Sequence, residues 1–546
     1  MKRSRGLSGR RPRGYRWHRL LALGAVSLGA VSLSVACYRH RPTPQARKTE
    51  SSRREGTSPA VAVTPAAEAH ETRATDPPPT PVTTPSPAYP GRYTGTPTPN
   101  PTPVGYGQGS GIDSYTVQPG ETLSLIAAVY GCSVEEIVAA NGLASADSIG
   151  AGQTLKIPTV ATRVGPSTKL IPDSEMVYGP ATIGFDLEGF IMRRGGYLAD
   201  YTEDVEGKLR FGPDIVQIVS QRFSVGPRVL LTLLEMQSGW VSEPQPAAAT
   251  LTYPIGHVQA YQEGLFQQLS WAAVRLNEGY YGWKHGDRTT VLLANGTRIG
   301  LAPEINAGTA GVQNALAELA SSEDGWLADL GPDGFSTTYR RFFGNPFSFT
   351  VDPLVPQDLV QPELRLPWPS GEMWYYTGGP HGGWGTGSGL SALDFVPGGK
   401  MLGCAPAPDW ATAAAPGLVL RSDNGEVILD LDGDGFEQSG WVLLYMHVHS
   451  QDRVEEGAWL QQGQPIGHPS CEGGFADATH LHLARRYNGE WIPAGSGSRP
   501  MVLSGWTAHE AAMPYEGTMT RDAEERVACE CWEADINGLI SDNAVP

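Results

Sequence analysis

The chain has 546 residues, too many for one compact core, and a length of this order carries about three or four domains. Its formal net charge is -17 at pH 7, and its dense basic run is confined to the first twenty residues: Lys2, Arg3, Arg5, Arg10, Arg11, Arg13, Arg16 and Arg19. No other stretch offers a basic stripe for phosphates, which argues against a nucleic-acid partner.

The basic arm runs into LLALGAVSLGAVSLSVAC, residues 20–37, which is apolar, uncharged and rich in small residues. A basic start, an apolar centre and small residues before a cut read as an export signal over residues 1–36. The Ala36-Cys37 junction also resembles a bacterial lipobox, which makes Cys37 a lipidation candidate, with Ser34 standing where that pattern prefers Leu. The alternative is a membrane span, since roughly 17 residues is the short end of the spanning range. Each reading puts the rest of the chain outside the cytoplasm, in the cell envelope or secreted. Six cysteines, at 37, 132, 404, 471, 529 and 531, are too few for a disulfide scaffold but compatible with one or two bridges in an exported protein. No CxxC pair exists, so a structural zinc site built on cysteine is not expected.

Residues 37–112 read as a Pro/Thr-rich linker: TDPPPTPVTTPSPAYPG and its continuation have little to bury and repeated Pro to keep the chain extended. The next unit, residues 113–159, opens with a short strand at 115–117. A first helix starts at Thr122, with Leu123, Ile126, Ala127 and Tyr130 at helical spacing, and a second runs from Ser133 to about Ala140. A strand at Thr154–Ile157 closes it. Through YTVQPGETL, the central Asn141-Gly142-Leu143 and IGAGQTLKIP, this βααβ unit resembles a LysM module. The resemblance implies binding to N-acetylglucosamine-containing glycans, peptidoglycan above all.

Residues 170–365 carry amphipathic helical runs at PDIVQIVSQRF, GPRVLLTLLEMQSGW, GLFQQLSWAAVRLNEGYY and AGTAGVQNALAEL, and predict a mostly α middle domain. VGPRVLLTLLEMQSGW looks like the helix of lysozyme-like lytic enzymes that ends in a catalytic Glu. Here Gln237 holds that place, and the nearest carboxylate, Glu235, points to another side of the helix. An amide cannot protonate a leaving oxygen, so this domain is expected to be non-catalytic, binding glycan or spacing its neighbours. From residue 366 to 505 the pattern changes to short runs with Gly turns: SALDFV, GLVLRS, EVILDL, WVLLYMHV and THLHLARR. These predict a mainly antiparallel β domain, a partly open sandwich or barrel, followed by a C-terminal tail at 506–546.

The last run places His480 and His482 one residue apart, and in a strand such residues share a face. Read in order, GGPHGGWGTGSGLSALDF, LLYMHV, GQPIGHPS and THLHLARR resemble the lysostaphin-like (LytM, peptidase family M23) zinc endopeptidases of bacterial cell walls. The resemblance implies that His381, Asp394 and His482 hold Zn2+, with His447 and His480 as catalytic residues on the open side. Two imidazoles and one carboxylate are a normal ligand set for a catalytic zinc, leaving one position for water. The chain departs from the family's His-x-x-x-Asp, with twelve residues between His381 and Asp394, many of them Gly. His449 is a rival through a second His-x-His with His447, and His468, in a Gly-Pro turn, is read as a surface residue. Cys404 and Cys471 are disulfide candidates that would fix the loop before THLHLARR.

The whole reads as an exported, modular, peptidoglycan-hydrolysing zinc endopeptidase; the alternative is a catalytically inactive activator or scaffold for other wall hydrolases. DLDGDGF, residues 430–436, resembles the start of a calcium loop, but Trp441 fills the acidic twelfth position, so a tight turn with at most weak calcium binding is expected.

Overall fold

A computed structural model describes residues 112–158, apart from 118–121, 131, 133, 144, 147, 151 and 152, and then residues 163–398 and 403–541. The segment expected to be an export signal, the lipidation candidate Cys37 and almost all of the expected linker lie outside the described residues. Among those described, no helix is long and apolar enough to cross a membrane.

The small N-terminal unit pairs strand Ile112–Thr116 with Thr154–Pro158 and packs helices Leu123–Tyr130 and Val134–Asn141 between them in sequence. Thr122 starts the first helix, its hydroxyl accepting from Leu125 N at 3.3 Å. Val117, Leu123, Ile126, Ile137, Leu155 and Ile157 form a private core with the free, buried Cys132. Asn141 ties the second helix to the closing strand: its amide accepts from Lys156 N and donates to Lys156 O, both at 2.7 Å.

In the middle region the four amphipathic runs fold as helices Gly212–Phe223, Pro227–Ser238, Leu265–His285 and Ala307–Ala317. Proline in the first turn opens the first two, where its missing N–H costs nothing. The region is not helical throughout, since hairpins Thr202–Val205/Lys208–Phe211 and Thr290–Leu292/Arg298–Gly300 interrupt it.

The C-terminal region is built on a nine-stranded, wholly antiparallel sheet. Along it run Trp459–Leu460, Gly417–Asp423, Glu426–Asp430, Trp441–Met446, Leu481–Tyr487, Ala392–Val396, Met373–His381 and Gly538–Ile540, with Glu490–Trp491 paired off Leu481–Tyr487. Residues 506–540 are therefore not a free tail. Gly538–Ile540 adds a strand beside Met373–His381, and Trp506–Glu510 pairs with both Val502–Leu503 and Gly517–Arg521. The apolar residues Trp506, Ala508, Met519 and Leu539 explain the correction, because they supply core for the sheet.

Strand parity gives the sheet two different faces. Leu393, Phe395, Val427, Leu429, Leu443, Tyr445, Leu481 and Leu483 point into the C-terminal region's own core. Ala392, Ile428, Val442, Leu444, Met446 and Ala484 point the other way and join the core of the helical region. The helical region is thus packed on the sheet, and the expectation that it spaces its neighbours fails because the two share apolar surface. Buried polar contacts reinforce the junction. Arg222 pairs with Glu426 at 3.0 Å, Lys284 with Glu490 at 2.6 Å, and Arg486 donates to Gln221 O at 3.1 Å.

The turn after strand Glu426–Asp430 uses its acids internally: the Asp430 carboxylate accepts from the backbone N–H groups of Asp432, Gly433 and Gly435. Because one core spans both regions, helix and sheet are expected to unfold together. In a thermal melt of the whole chain, the far-UV helix signal and the near-UV tryptophan signal should fall in one transition; two separated transitions would refute the shared core.

Candidate metal centre

Four neighbouring strands bring the histidines together. On adjacent strands Asp394 and His482 are direct cross-strand partners, and Met446 faces His482 from the other side. Strand Met373–His381 slips register between Gly378 and His381, and this brings His381 opposite Ala392, next to the pair. Gly378 makes the approach possible: a Cβ there would come within 2.5 Å of the Asp394 carboxylate.

His381 Nδ1 lies 2.8 Å from Gly379 O and His482 Nε2 lies 3.0 Å from Gly383 O. A carbonyl only accepts, so each of these nitrogens carries the proton and donates. In the neutral form of each ring, the form that binds a metal, the other nitrogen is then bare. Those bare atoms, His381 Nε2 and His482 Nδ1, are 3.0 Å apart and lie 3.3 and 3.1 Å from Asp394 Oδ1. Three electron-rich atoms face one another at close range, an arrangement that only a cation or a shared proton relieves. Ligands about 2.0–2.1 Å from a tetrahedral zinc lie roughly 3.3 Å apart, so the spacing fits that ion. The carbonyl partners also fix ring orientation, the usual support for metal-binding imidazoles.

The electrostatics agree. Burial opposes charge on Asp394, but His381 and His480 outweigh it and hold the carboxyl well below the usual carboxylate range. Burial acts to lower His381, yet Asp394 reverses this and the ring ends above its ordinary value. Both shifts mark a centre that attracts positive charge.

His480 precedes its strand and bridges Ser470. Its Nδ1 donates to Ala478 O at 2.8 Å, leaving Nε2 bare and 3.7 Å from Asp394 Oδ1. His447 follows strand Trp441–Met446 in a left-handed conformation, φ 66°, that few non-glycine residues adopt. Ser470 N and Oγ both donate to its carbonyl and hold it there. Its Nδ1 donates to Glu472 O at 3.1 Å and its ring centre is 4.4 Å from that of His480. Burial, with His480 and His482 nearby, pushes His447 down to about 3, so this imidazole is neutral.

The rivals lie elsewhere. His449 Nε2 faces Glu472 at 3.3 Å. His468 is half-buried rather than a plain surface residue, because its ring packs on Trp410 and its Nδ1 donates to Asp409 O. Cys404 and Cys471 are joined by a disulfide, and Thr479 N and Oγ1 donate to Gly403 O beside it, tethering the approach to His480. Cys529 and Cys531 form a second bridge.

Sequence reasoning missed Tyr515, whose ring stacks on His381 with centres 4.1 Å apart. It lies in the segment read as a tail, where nothing local marks it. In the helical region Glu235 accepts from Ser242 N at 3.1 Å and pairs with Arg341 at 2.6 Å, so its carboxylate is engaged.

Together, fold and site resemble those of modular cell-wall hydrolases that join a LysM module to a lysostaphin-like, M23 peptidase domain. Residues 115–158 match the LysM domain and residues 169–356 match the LasA N-terminal domain, a family description other than a lysozyme-like one for the helical region. Protease LasA of Pseudomonas aeruginosa strain UCBPP-PA14 is 26% identical over 357 residues, covering 62% of this chain and 77% of the relative. Protease LasA of strain PAO1 gives the same identity and coverage. Among solved structures, the deep-sea M23 metalloprotease pseudoalterin aligns at 23% identity over 31% of this chain and 96% of its own, with a TM-score of 0.26. The catalytic domain of lysostaphin from Staphylococcus simulans aligns at 22% identity over 22% of this chain and 86% of its own, with a TM-score of 0.15.

Peptide mapping without reduction should recover Cys404 and Cys471 on one cross-linked peptide. Replacing both by Ser should cost about 2–4 kcal/mol of stability, as for a bridge closing a long loop. Both thiols found alkylated in the unreduced protein would contradict the pairing.

Proposed function

We propose that the protein is a zinc-dependent endopeptidase that hydrolyses peptide bonds in bacterial peptidoglycan, outside the cytoplasm, with its LysM unit binding the glycan strands. The observation that carries this reading is the convergence of two orientation-fixed imidazoles and a carboxylate, with the bare nitrogen of a third imidazole beside them. The likeness to a named protease supports it.

His381, Asp394 and His482 would hold the ion. When bound, zinc polarises a scissile carbonyl and lowers the pKa of water toward about 7. His480 Nε2, bare because Nδ1 is committed to Ala478 O, accepts a proton from the attacking water and returns it to the leaving amine. His447 stands beside it, neutral and held by Glu472 O, where its free Nε2 can accept a hydrogen bond during the same transfer.

Zinc is expected to co-purify at one ion per chain. Asp394→Ala and His482→Ala should lose it, whereas His480→Ala should keep it and lose about a hundredfold to ten-thousandfold in rate. Digestion of purified peptidoglycan, with products identified by mass, should release new peptide termini that disappear with a zinc chelator. Parent protein that binds zinc yet cuts no peptide would favour the activator reading, and full activity in His480→Ala would remove the role given to that residue.

A further inference from the structure

We propose that Tyr281, on the Leu265–His285 helix of the helical region, is a positioning residue for His482, acting through Trp491 and the carbonyl of Gly383. The inference rests on the reading of His381, Asp394 and His482 as a metal centre.

His482 presents Nδ1 to the centre because Nε2 donates to Gly383 O. The position of that carbonyl therefore sets the aim of the ligand. Gly383 lies in the 382–391 loop between His381 and Asp394, which lies outside the strands on either side of it. Three of its glycines, Gly385, Gly387 and Gly389, have left-handed φ of 65°, 81° and 61°, so the sequence alone leaves this loop many conformations.

What restrains the loop is contact, much of it from the helical region. A Cβ placed on Gly383 would come within 2.4 Å of the Trp491 ring, which means that the indole lies directly against this residue. Gly387 sits as closely on Glu278 of the same helix as Tyr281. Trp384, next in sequence, is covered by the Arg222 guanidinium, 5.0 Å from its ring centre.

Trp491 is in turn held by the helical region at two points. Its backbone N–H donates to Tyr281 Oη at 2.9 Å and its indole N–H donates to Phe223 O at 3.2 Å. Tyr281 and Trp491 are 3% and 1% exposed, so no water can replace either partner. The route from the helix to the ligand is continuous: Tyr281 hydroxyl, Trp491 backbone and ring, Gly383 carbonyl, His482 Nε2.

The docking is also built to last. If the helical region left, Trp384, Ile428, Val442, Leu444, Met446 and Trp491 would face water as one apolar patch. The helical region therefore belongs to the metal site's support, although none of its side chains is a ligand in this reading.

The test is zinc affinity of the full chain, measured by competition with a chromophoric chelator, together with the visible spectrum of the cobalt-substituted protein. Outer partners of metal ligands typically contribute about tenfold to a hundredfold in affinity, and Tyr281 acts one step further out. Tyr281→Phe, which keeps the ring and removes the hydroxyl, should bind zinc about threefold to tenfold more weakly and shift the cobalt bands. Trp491→Phe should lose about tenfold or more. Tyr339→Phe, equally buried but bonded to Glu175 away from the loop, should lower stability and leave zinc affinity within about twofold.

Parent affinity and an unchanged cobalt spectrum in both Tyr281→Phe and Trp491→Phe would overturn the inference while leaving the metal reading intact. A parent chain that retains no zinc would overturn both. Should the tryptophan variant fail to fold, the tyrosine variant decides.

Discussion

The pairing of Asp394 with His482 across two adjacent strands is the contact on which the site depends. It places a carboxylate oxygen 3.1 Å from a bare imidazole nitrogen in a buried environment, and the slipped end of the neighbouring strand brings a second bare nitrogen to the same spot. Electron-rich atoms do not stay together in low dielectric without compensation. The protein restrains them with rigid strands, two carbonyl acceptors and a glycine that leaves the carboxylate room, and a cation or a shared proton is what can compensate them.

The rest of the architecture can be understood as support for that register. One sheet face carries a complete apolar core of its own, which fixes strand order, while the other carries the site and is covered beyond it by the helical region. Arg222–Glu426 and Lys284–Glu490 pin the two regions with largely buried ion pairs. On the opposite edge, Gly538–Ile540 closes the sheet and the turn before Gly517 sets Tyr515 on His381. The Cys404–Cys471 bridge and Thr479 control the remaining approach.

Much of this was legible because it rests on local pattern. Alternation in SALDFV and THLHLARR and Gly punctuation around them marked the strands, and 3.6-residue periodicity marked the four long helices. The five histidine and aspartate positions were picked out by the resemblance to the lysostaphin-like family, whose motif order they follow, and the fold brings their side chains close to one another. Other features depend on contacts between distant surfaces, which no local period records. Trp506, Met519 and Leu539 sit in short segments broken by turns, so their role in closing the sheet was invisible. Nothing in the sequence neighbourhood of Trp384 or Trp491 says that a helix hydroxyl meets one of them. The Gly-rich loop between His381 and Asp394 was readable as flexible, but not the partner that holds it still.

The central claim is that His381 Nε2, His482 Nδ1 and an Asp394 oxygen converge on one zinc ion. X-ray absorption at the zinc edge on the metal-loaded chain tests it most directly. The account predicts a first shell of light N/O atoms at about 2.0–2.1 Å with the outer-shell scattering of two imidazoles, falling to one imidazole in any residual zinc of His482→Ala. A shell containing sulfur, or one with no imidazole scattering, would contradict it.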